Sequence, residues 1–231
     1  MGVKISASLM CADLNRLGQQ VEELAAAGVD WLHFDIMDGH FVPNFALGAC
    51  TMEAVRPTTD LLFDVHLMVQ DPEPHVAAFV EAGADLLVVH AEACPDLGRT
   101  LGKIRDAGVM AGLALNPGTP FDSVRQYADQ AQMILVMGVQ PGFAGQKLAP
   151  RTNEAIAAVR RGLDELGAQA ELQVDGNVSF EHAGGMVAAG ATVLVAGSSS
   201  VFSREVGSIA EGVRRLREAA AQGEKRGAAA G

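Results

Sequence analysis

One phrase recurs along this chain of 231 residues: a helix-forming stretch, then Ala-Gly, then a short apolar run. It appears as Ala27-Gly28 before Val29–Phe34, Ala82-Gly83 before Leu86–His90, Ala107-Gly108 before Val109–Leu113, and Ala189-Gly190 before Thr192–Ala196. Glycine after a helix adopts the left-handed capping conformation without a Cβ penalty, and five or six continuous apolar residues then read as a strand. Continuous rather than alternating apolar character suits parallel strands covered on both faces. The phrase is a βα repeat.

Extended to the whole chain, the pattern predicts strands near 3–8, 30–35, 61–67, 86–90, 110–115, 132–137, 171–175 and 192–196. Helices are expected over 13–26, 49–56, 74–82, 97–107, 121–128, 151–166, 180–188 and 206–221. Eight alternating units close into a single (β/α)8 barrel, for which about 250 residues are typical and about 200 a lower bound. A doubly wound open sheet would carry a glycine fingerprint after its first strand, and none is present. Residues 1–221 are expected to form one barrel domain and 222–231, small and polar, a fraying tail.

Composition closes off several functions. A formal charge of -11 argues against a nucleic-acid partner or an anionic membrane surface, and no 18-residue apolar run offers a membrane span. Three widely spaced cysteines (Cys11, Cys50, Cys94) and an N-terminus without a signal pattern lead to the expectation of a soluble cytoplasmic protein with reduced thiols. The charge also requires that any phosphate site work through local geometry rather than a basic field.

In a barrel of this kind the chemistry lies at the C-terminal strand ends and the loops that follow. The polar residues ending these runs are Ser8, His33, Asp35, His66, His90, Asn116 and Asp175. His33 and Asp35 are two apart on one strand and so face the same side; His66 lies at the neighbouring rim. Two imidazoles and two carboxylates form a mixed nitrogen–oxygen set suited to Zn²⁺, Fe²⁺, Mn²⁺ or Co²⁺, although a single such histidine is more often a satisfied core residue. Paired aspartates beside a carbonyl held by such an ion suit removal of an α-proton from one face and its return to the other, which is epimerisation. Glycine-bearing loops follow strands 6, 7 and 8: Gln140-Pro-Gly142-Phe143-Ala144-Gly145, Asp175-Gly176-Asn177 and Ala196-Gly197-Ser198. Consecutive loops of this type cradle a phosphate through backbone N–H groups. Of the four lysines (Lys4, Lys103, Lys147, Lys225) only Lys147 is placed to approach the mouth, and it lies on a loop, which argues against a Schiff-base aldolase; the absence of an Asp-x-Lys-x-x-Asp string argues against the decarboxylase type of barrel. Met37, Met68 and Met137 follow strands 2, 3 and 6; they read as rim packing that would also keep water from a reactive intermediate. Phe41, Phe45 and Phe143 read equally as a lid or as a contact with another subunit.

Taken together, these strings resemble the ribulose-phosphate 3-epimerase family. The matching segments are Ser8–Met10, His33–Asn44, Asp64–Val69, Leu115–Pro120, Pro141–Gln146, Val174–Gly176 and Val195–Ser198, in order over roughly residues 3–203. The resemblance implies one divalent metal ion held by His33, Asp35, His66 and Asp175, with Asp35 and Asp175 as acid and base. It implies sugar contacts from Ser8 and His66, a cap of Met37, Met68 and Met137, and a phosphate cradle of Gly142, Phe143, Ala144, Gly145, Gly176, Asn177, Gly197 and Ser198. The implied reaction interconverts D-ribulose 5-phosphate and D-xylulose 5-phosphate in a homo-oligomer of the pentose phosphate pathway. Three positions depart from the common pattern: Ala144 and Asn177, where glycine is common, and Cys11 after Ser-Leu-Met. They lean toward the allulose-6-phosphate 3-epimerase branch, whose D-allulose 6-phosphate and D-fructose 6-phosphate are the second reading. A non-catalytic barrel that binds a phosphosugar, and a phosphatase or lyase with phosphate at the metal, rank below both.

Overall fold

The computed structural model describes residues 2–230. Eight parallel strands close into a barrel in sequence order: β1 Lys4–Ser8, β2 Trp31–Met37, β3 Leu62–Met68, β4 Leu86–His90, β5 Met110–Leu115, β6 Met133–Met137, β7 Glu171–Asp175 and β8 Val193–Ala196. Pairing of Lys4 with Val193 through Ala7 with Ala196 joins β8 to β1 and leaves no open edge. The outer layer holds α1 Leu17–Ala27, α2 Ala49–Val55, α3 Val76–Glu81, α4 Leu97–Asp106, α5 Thr152–Leu166, α6 Ala183–Ala188 and α7 Ile209–Ala230. The glycines of the recurrent phrase, Gly28, Gly83, Gly108 and Gly190, have φ between 80° and 114°, as a left-handed helix exit requires. Among the described residues, no helix is long and apolar enough to cross a membrane.

Two apolar compartments follow from strand alternation. Outward-facing residues such as Ile5, Phe34, Val65 and Leu172 pack under the helices as the main core. Inward-facing Leu86, Val88, Met133, Leu135 and Val193 form a second apolar cluster inside the barrel. Beside it lies a polar group: Ser6, His33, Asp64 and Gln173 are all fully buried inside the barrel. That division sets the floor of the site.

Two expectations are corrected. The segment after β5 forms 3₁₀ turns, Phe121–Ser123 and Arg125–Gln130, instead of a helix over 121–128. Its Phe121 ring packs so tightly on α5 that a Cβ at Gly162 would overlap it. The segment 222–231 is expected to fray, yet α7 continues through it as far as Ala230. Gly223 brings α7 against α6, where a Cβ would overlap the Gly184 carbonyl, and Glu224 accepts a hydrogen bond from the Val3 N–H at 3.1 Å. Close backbone packing at Gly223 joins α7 to α6 here; Gly231 lies outside the described residues.

Candidate active site

Strands β2 and β3 run to Met37 and Met68, two residues and one residue beyond the predicted ends. Their register pairs His33 with Asp64, Asp35 with His66 and Met37 with Met68, so inward residues form stacked layers. Lowest lies Asp64, whose Oδ2 accepts from the Ser6 hydroxyl (2.8 Å), the Gln173 amide (2.5 Å) and His33 Nδ1 (2.8 Å). This holds one proton of His33 on Nδ1; burial opposes its charging, but the carboxylates of Asp64 and Asp35 outweigh burial and raise the ring well above its ordinary value, so a cation at Nε2 would take the place of a proton there.

The next layer brings together four ligand atoms, one each from His33, Asp35, His66 and Asp175, all within 4.8 Å of one another. His33 Nε2 lies 3.4 Å from Asp35 Oδ1, and His66 Nδ1 lies 3.6 Å from the same oxygen and 3.9 Å from Asp175 Oδ2. His33 Nε2 and His66 Nδ1 are buried and have no hydrogen-bond partner. Orphaned buried nitrogens beside two carboxylates are costly unless a cation sits between them, so this donor set fits a divalent ion.

The two carboxylates are driven apart electrostatically. Burial alone would raise Asp35, but the charges and hydrogen bonds of His33 and His66 outweigh it and hold the group far below the ordinary carboxylate range. Asp175 is pushed up to about 7, by burial first and by the negative charge of Asp35 second. Their surroundings thus push the two carboxyl groups of the pair in opposite directions. Ser8 donates to Asp35 Oδ2 at 2.7 Å. Burial lowers His66, with the charge of His33 adding to it against the opposing pull of Asp35.

Above this layer opens a pocket lined by Ser8, Asp35, Met37, Met68, Met137 and Asp175. Gly142, Phe143, Ala144, Gly145, Gly176, Asn177, Gly197 and Ser198 line it as well. Among the described residues no lysine or arginine lines it, so an anion there would depend on backbone N–H groups. Asn177 has φ 48°, the left-handed conformation that asparagine tolerates best after glycine, and so keeps the loop geometry at a position where glycine is common. A Cβ at Gly176 would lie 2.7 Å from the Val139 nitrogen, so only glycine fits beside β6. Met37 and Met68 are buried against Val42, with Phe41 and Met10 around them. Phe143 and Phe45 are exposed. The loops after β2 and β6 meet where the Asn44 amide donates to the Gly142 carbonyl at 2.7 Å.

Every predicted site residue therefore falls at one end of the barrel, with one difference in depth. His33 and His66 are fully buried beneath the pocket rather than on its wall. Sequence reasoning missed Asp64 and Gln173 as parts of the site. Asp64 was visible in principle, two residues before His66 on the same inward face. Cys11 also lines the pocket, its Sγ 3.2 Å from where a Cβ at Gly197 would stand, and burial raises its thiol.

Comparison with known proteins agrees with this geometry. A family model described as the ribulose-phosphate 3-epimerase family matches residues 4–202. The ribulose-phosphate 3-epimerase of Bacillus subtilis (strain 168) is 46% identical over 198 residues, spanning 85% of this chain and 91% of that protein. The chloroplastic ribulose-5-phosphate-3-epimerase of Arabidopsis thaliana is 39% identical, covering 94% of this chain and 78% of its own length. Among solved structures, one of KGPDC from Streptococcus mutans superposes with a TM-score of 0.72 over 95% of this chain and 98% of that one, at 14% identity, a likeness of fold alone. On sequence, coverage and a shared barrel, the chain belongs to the ribulose-phosphate 3-epimerase family.

Proposed function

We propose that the protein is an isomerase that inverts C3 of a phosphorylated ketose, interconverting D-ribulose 5-phosphate and D-xylulose 5-phosphate. The observation that carries this reading is the pair Asp35 and Asp175 on a His₂Asp₂ cluster beneath a glycine-lined pocket. The names of the relatives support the same reaction.

In this reading His33, Asp35, His66 and Asp175 hold one divalent cation. Bound there, the ion would withdraw charge from the ketose oxygens and so acidify the C3 proton. Asp35, ionised and oriented by the Ser8 hydroxyl, takes that proton from one face. Asp175, grouped with Asp35 around the same point, delivers a proton to the opposite face, and proton exchange with solvent then resets both carboxyl groups for the next turnover. Met37, Met68 and Met137 shield the reacting carbon from water without adding competing acids. The loops carrying Gly142–Gly145, Gly176–Asn177 and Gly197–Ser198 hold the phosphate. The intact four-residue cluster disfavours a barrel that only binds.

Three free cysteines support a reducing compartment such as the cytoplasm, and exposed Leu14 and Phe45 support self-association as a homo-oligomer. The test is turnover of D-ribulose 5-phosphate and of D-allulose 6-phosphate by metal-reconstituted protein. A kcat/KM ratio favouring the pentulose phosphate is expected. Preference for the hexulose phosphate would move the substrate assignment, and turnover of neither would remove the proposal.

A further inference from the structure

A line of polar groups leaves the four-residue cluster on the side away from the pocket, and the proton transfers do not use it. His66 Nε2 lies 2.8 Å from Nε2 of His90, the last residue of β4, with the rings stacked at 4.9 Å and 28°. Both imidazoles are fully buried. Two like nitrogens at this distance form a hydrogen bond only when one carries the proton and the other offers a lone pair. On the far side of the ring, His90 Nδ1 lies 3.4 Å from Glu92 Oε2 and has no hydrogen-bond partner of its own. Glu92 is held in turn by the segment that follows β5: its Oε1 accepts from the Asn116 N–H at 2.9 Å and from the Thr119 hydroxyl at 2.5 Å.

This line has two possible polarities. In one, His90 carries its proton on Nδ1, toward Glu92, and its Nε2 accepts from His66 Nε2–H, so that His66 Nδ1 keeps a lone pair. In the other every proton is reversed, and His66 Nδ1–H points at Asp35. The Asp35 carboxylate, 3.6 Å away, favours the second polarity, which would leave His66 no lone pair to offer a cation. Something must oppose it.

We propose that Glu92 is a positioning residue: acting through His90, it fixes the proton of His66 on Nε2 and so turns the Nδ1 lone pair toward Asp35 and Asp175. The inference rests on the reading of His66 as a metal ligand. The carboxylate of Glu92 accepts on both arms, so it draws an N–H from His90 and commits the whole line. A glutamine in its place has one accepting arm. Because the Asn116 N–H can only donate, it retains the amide oxygen, and the amide NH₂ then faces His90 Nδ1. That substitution reverses the polarity without changing size or packing.

The experiment compares wild type, Glu92→Gln and His90→Phe. The last keeps the stacked ring but removes the acceptor. Histidine tautomers are read by nitrogen-15 NMR on chelator-treated protein, and Zn²⁺ affinity by chelator competition. Expected are a proton on His66 Nε2 in wild type and on Nδ1 in both variants, with Zn²⁺ affinity lower by about 10- to 100-fold, as removal of a ligand-orienting partner usually costs. Should Glu92→Gln not fold, His90→Phe alone decides. An unchanged His66 tautomer, or unchanged Zn²⁺ affinity in a folded variant, overturns the proposal. A wild type that binds no Zn²⁺ would instead refute the metal-ligand reading, while the tautomer comparison still decides the role of Glu92.

Discussion

Replacing Asp64 perturbs the floor of the site from below without touching the pocket. Its Oδ2 collects three donors, from Ser6, His33 and Gln173, inside a barrel where none of the four residues is exposed. Asp64→Ala strands all three. An unsatisfied buried donor costs about 1–3 kcal/mol, so the sum is about 3–9 kcal/mol, comparable with the ~5–15 kcal/mol by which a domain is normally stable. Asp64→Asn keeps the shape and one accepting oxygen but weakens three charge-assisted bonds, at about 1–3 kcal/mol in total if the loss is shared. Urea unfolding of chelator-treated protein should therefore show a midpoint lowered modestly for Asn and drastically for Ala, with an unchanged slope where both states are measurable. Zn²⁺ binding to the Asn variant should also weaken, because His33 loses the charge that holds its proton on Nδ1. An Asp64→Ala protein within ~1 kcal/mol of the parent would refute the account of a satisfied polar floor.

Other perturbations separate the parts of the site. Asp175→Asn removes the acid of the pair and should lower kcat by about 100- to 10,000-fold, measured in the coupled assay at saturating metal. Because the folded state raises Asp175 to about 7, its contribution to stability is complete below the unfolded value near 4 and is lost as pH rises through about 7. Melting temperatures of chelated wild type should accordingly fall relative to Asp175→Asn across that interval. A Cβ at Gly138 would lie 2.6 Å from the Gly176 carbonyl oxygen, so Gly138→Ala should displace the Asp175–Gly176 backbone. It should cost about 1–3 kcal/mol by denaturation and a larger share of kcat/KM. Chelation of the holoprotein should abolish turnover, and added divalent ion should restore it.

Much of the barrel is legible in the sequence because parallel strands buried on both faces leave continuous apolar runs, and Ala-Gly exits mark where several of those runs begin. All eight strands begin within a residue of the expected positions, from Lys4 in β1 to Val193 in β8. The composition of the segment after β5 suggests a helix, but Phe121 wedged against Gly162 settles it as 3₁₀ turns, a tertiary effect that no local pattern carries. Small residues in the C-terminal segment suggest fraying; between packed helices the same residues permit close approach of Gly223 to Gly184. At the site, His33, Asp35, His66 and Asp175 are legible from strand alternation, and the resemblance joins them. Their depth is not, since β2 and β3 extend past their predicted ends. Glu92 lies further from sight: it acts from a turn after β4, and only the folded barrel brings it to Asn116 and Thr119.

The central claim is that two carboxylates move a proton on and off C3 of a ketose phosphate. The most direct measurement is solvent exchange: metal-reconstituted protein is incubated with D-ribulose 5-phosphate in D₂O, and deuterium at C3 is followed by NMR. The account predicts deuterium at C3 in both D-ribulose 5-phosphate and D-xylulose 5-phosphate, with both exchange and epimerisation lost in Asp35→Asn. Epimerisation without deuterium at C3, or full exchange and inversion in Asp35→Asn, would contradict it.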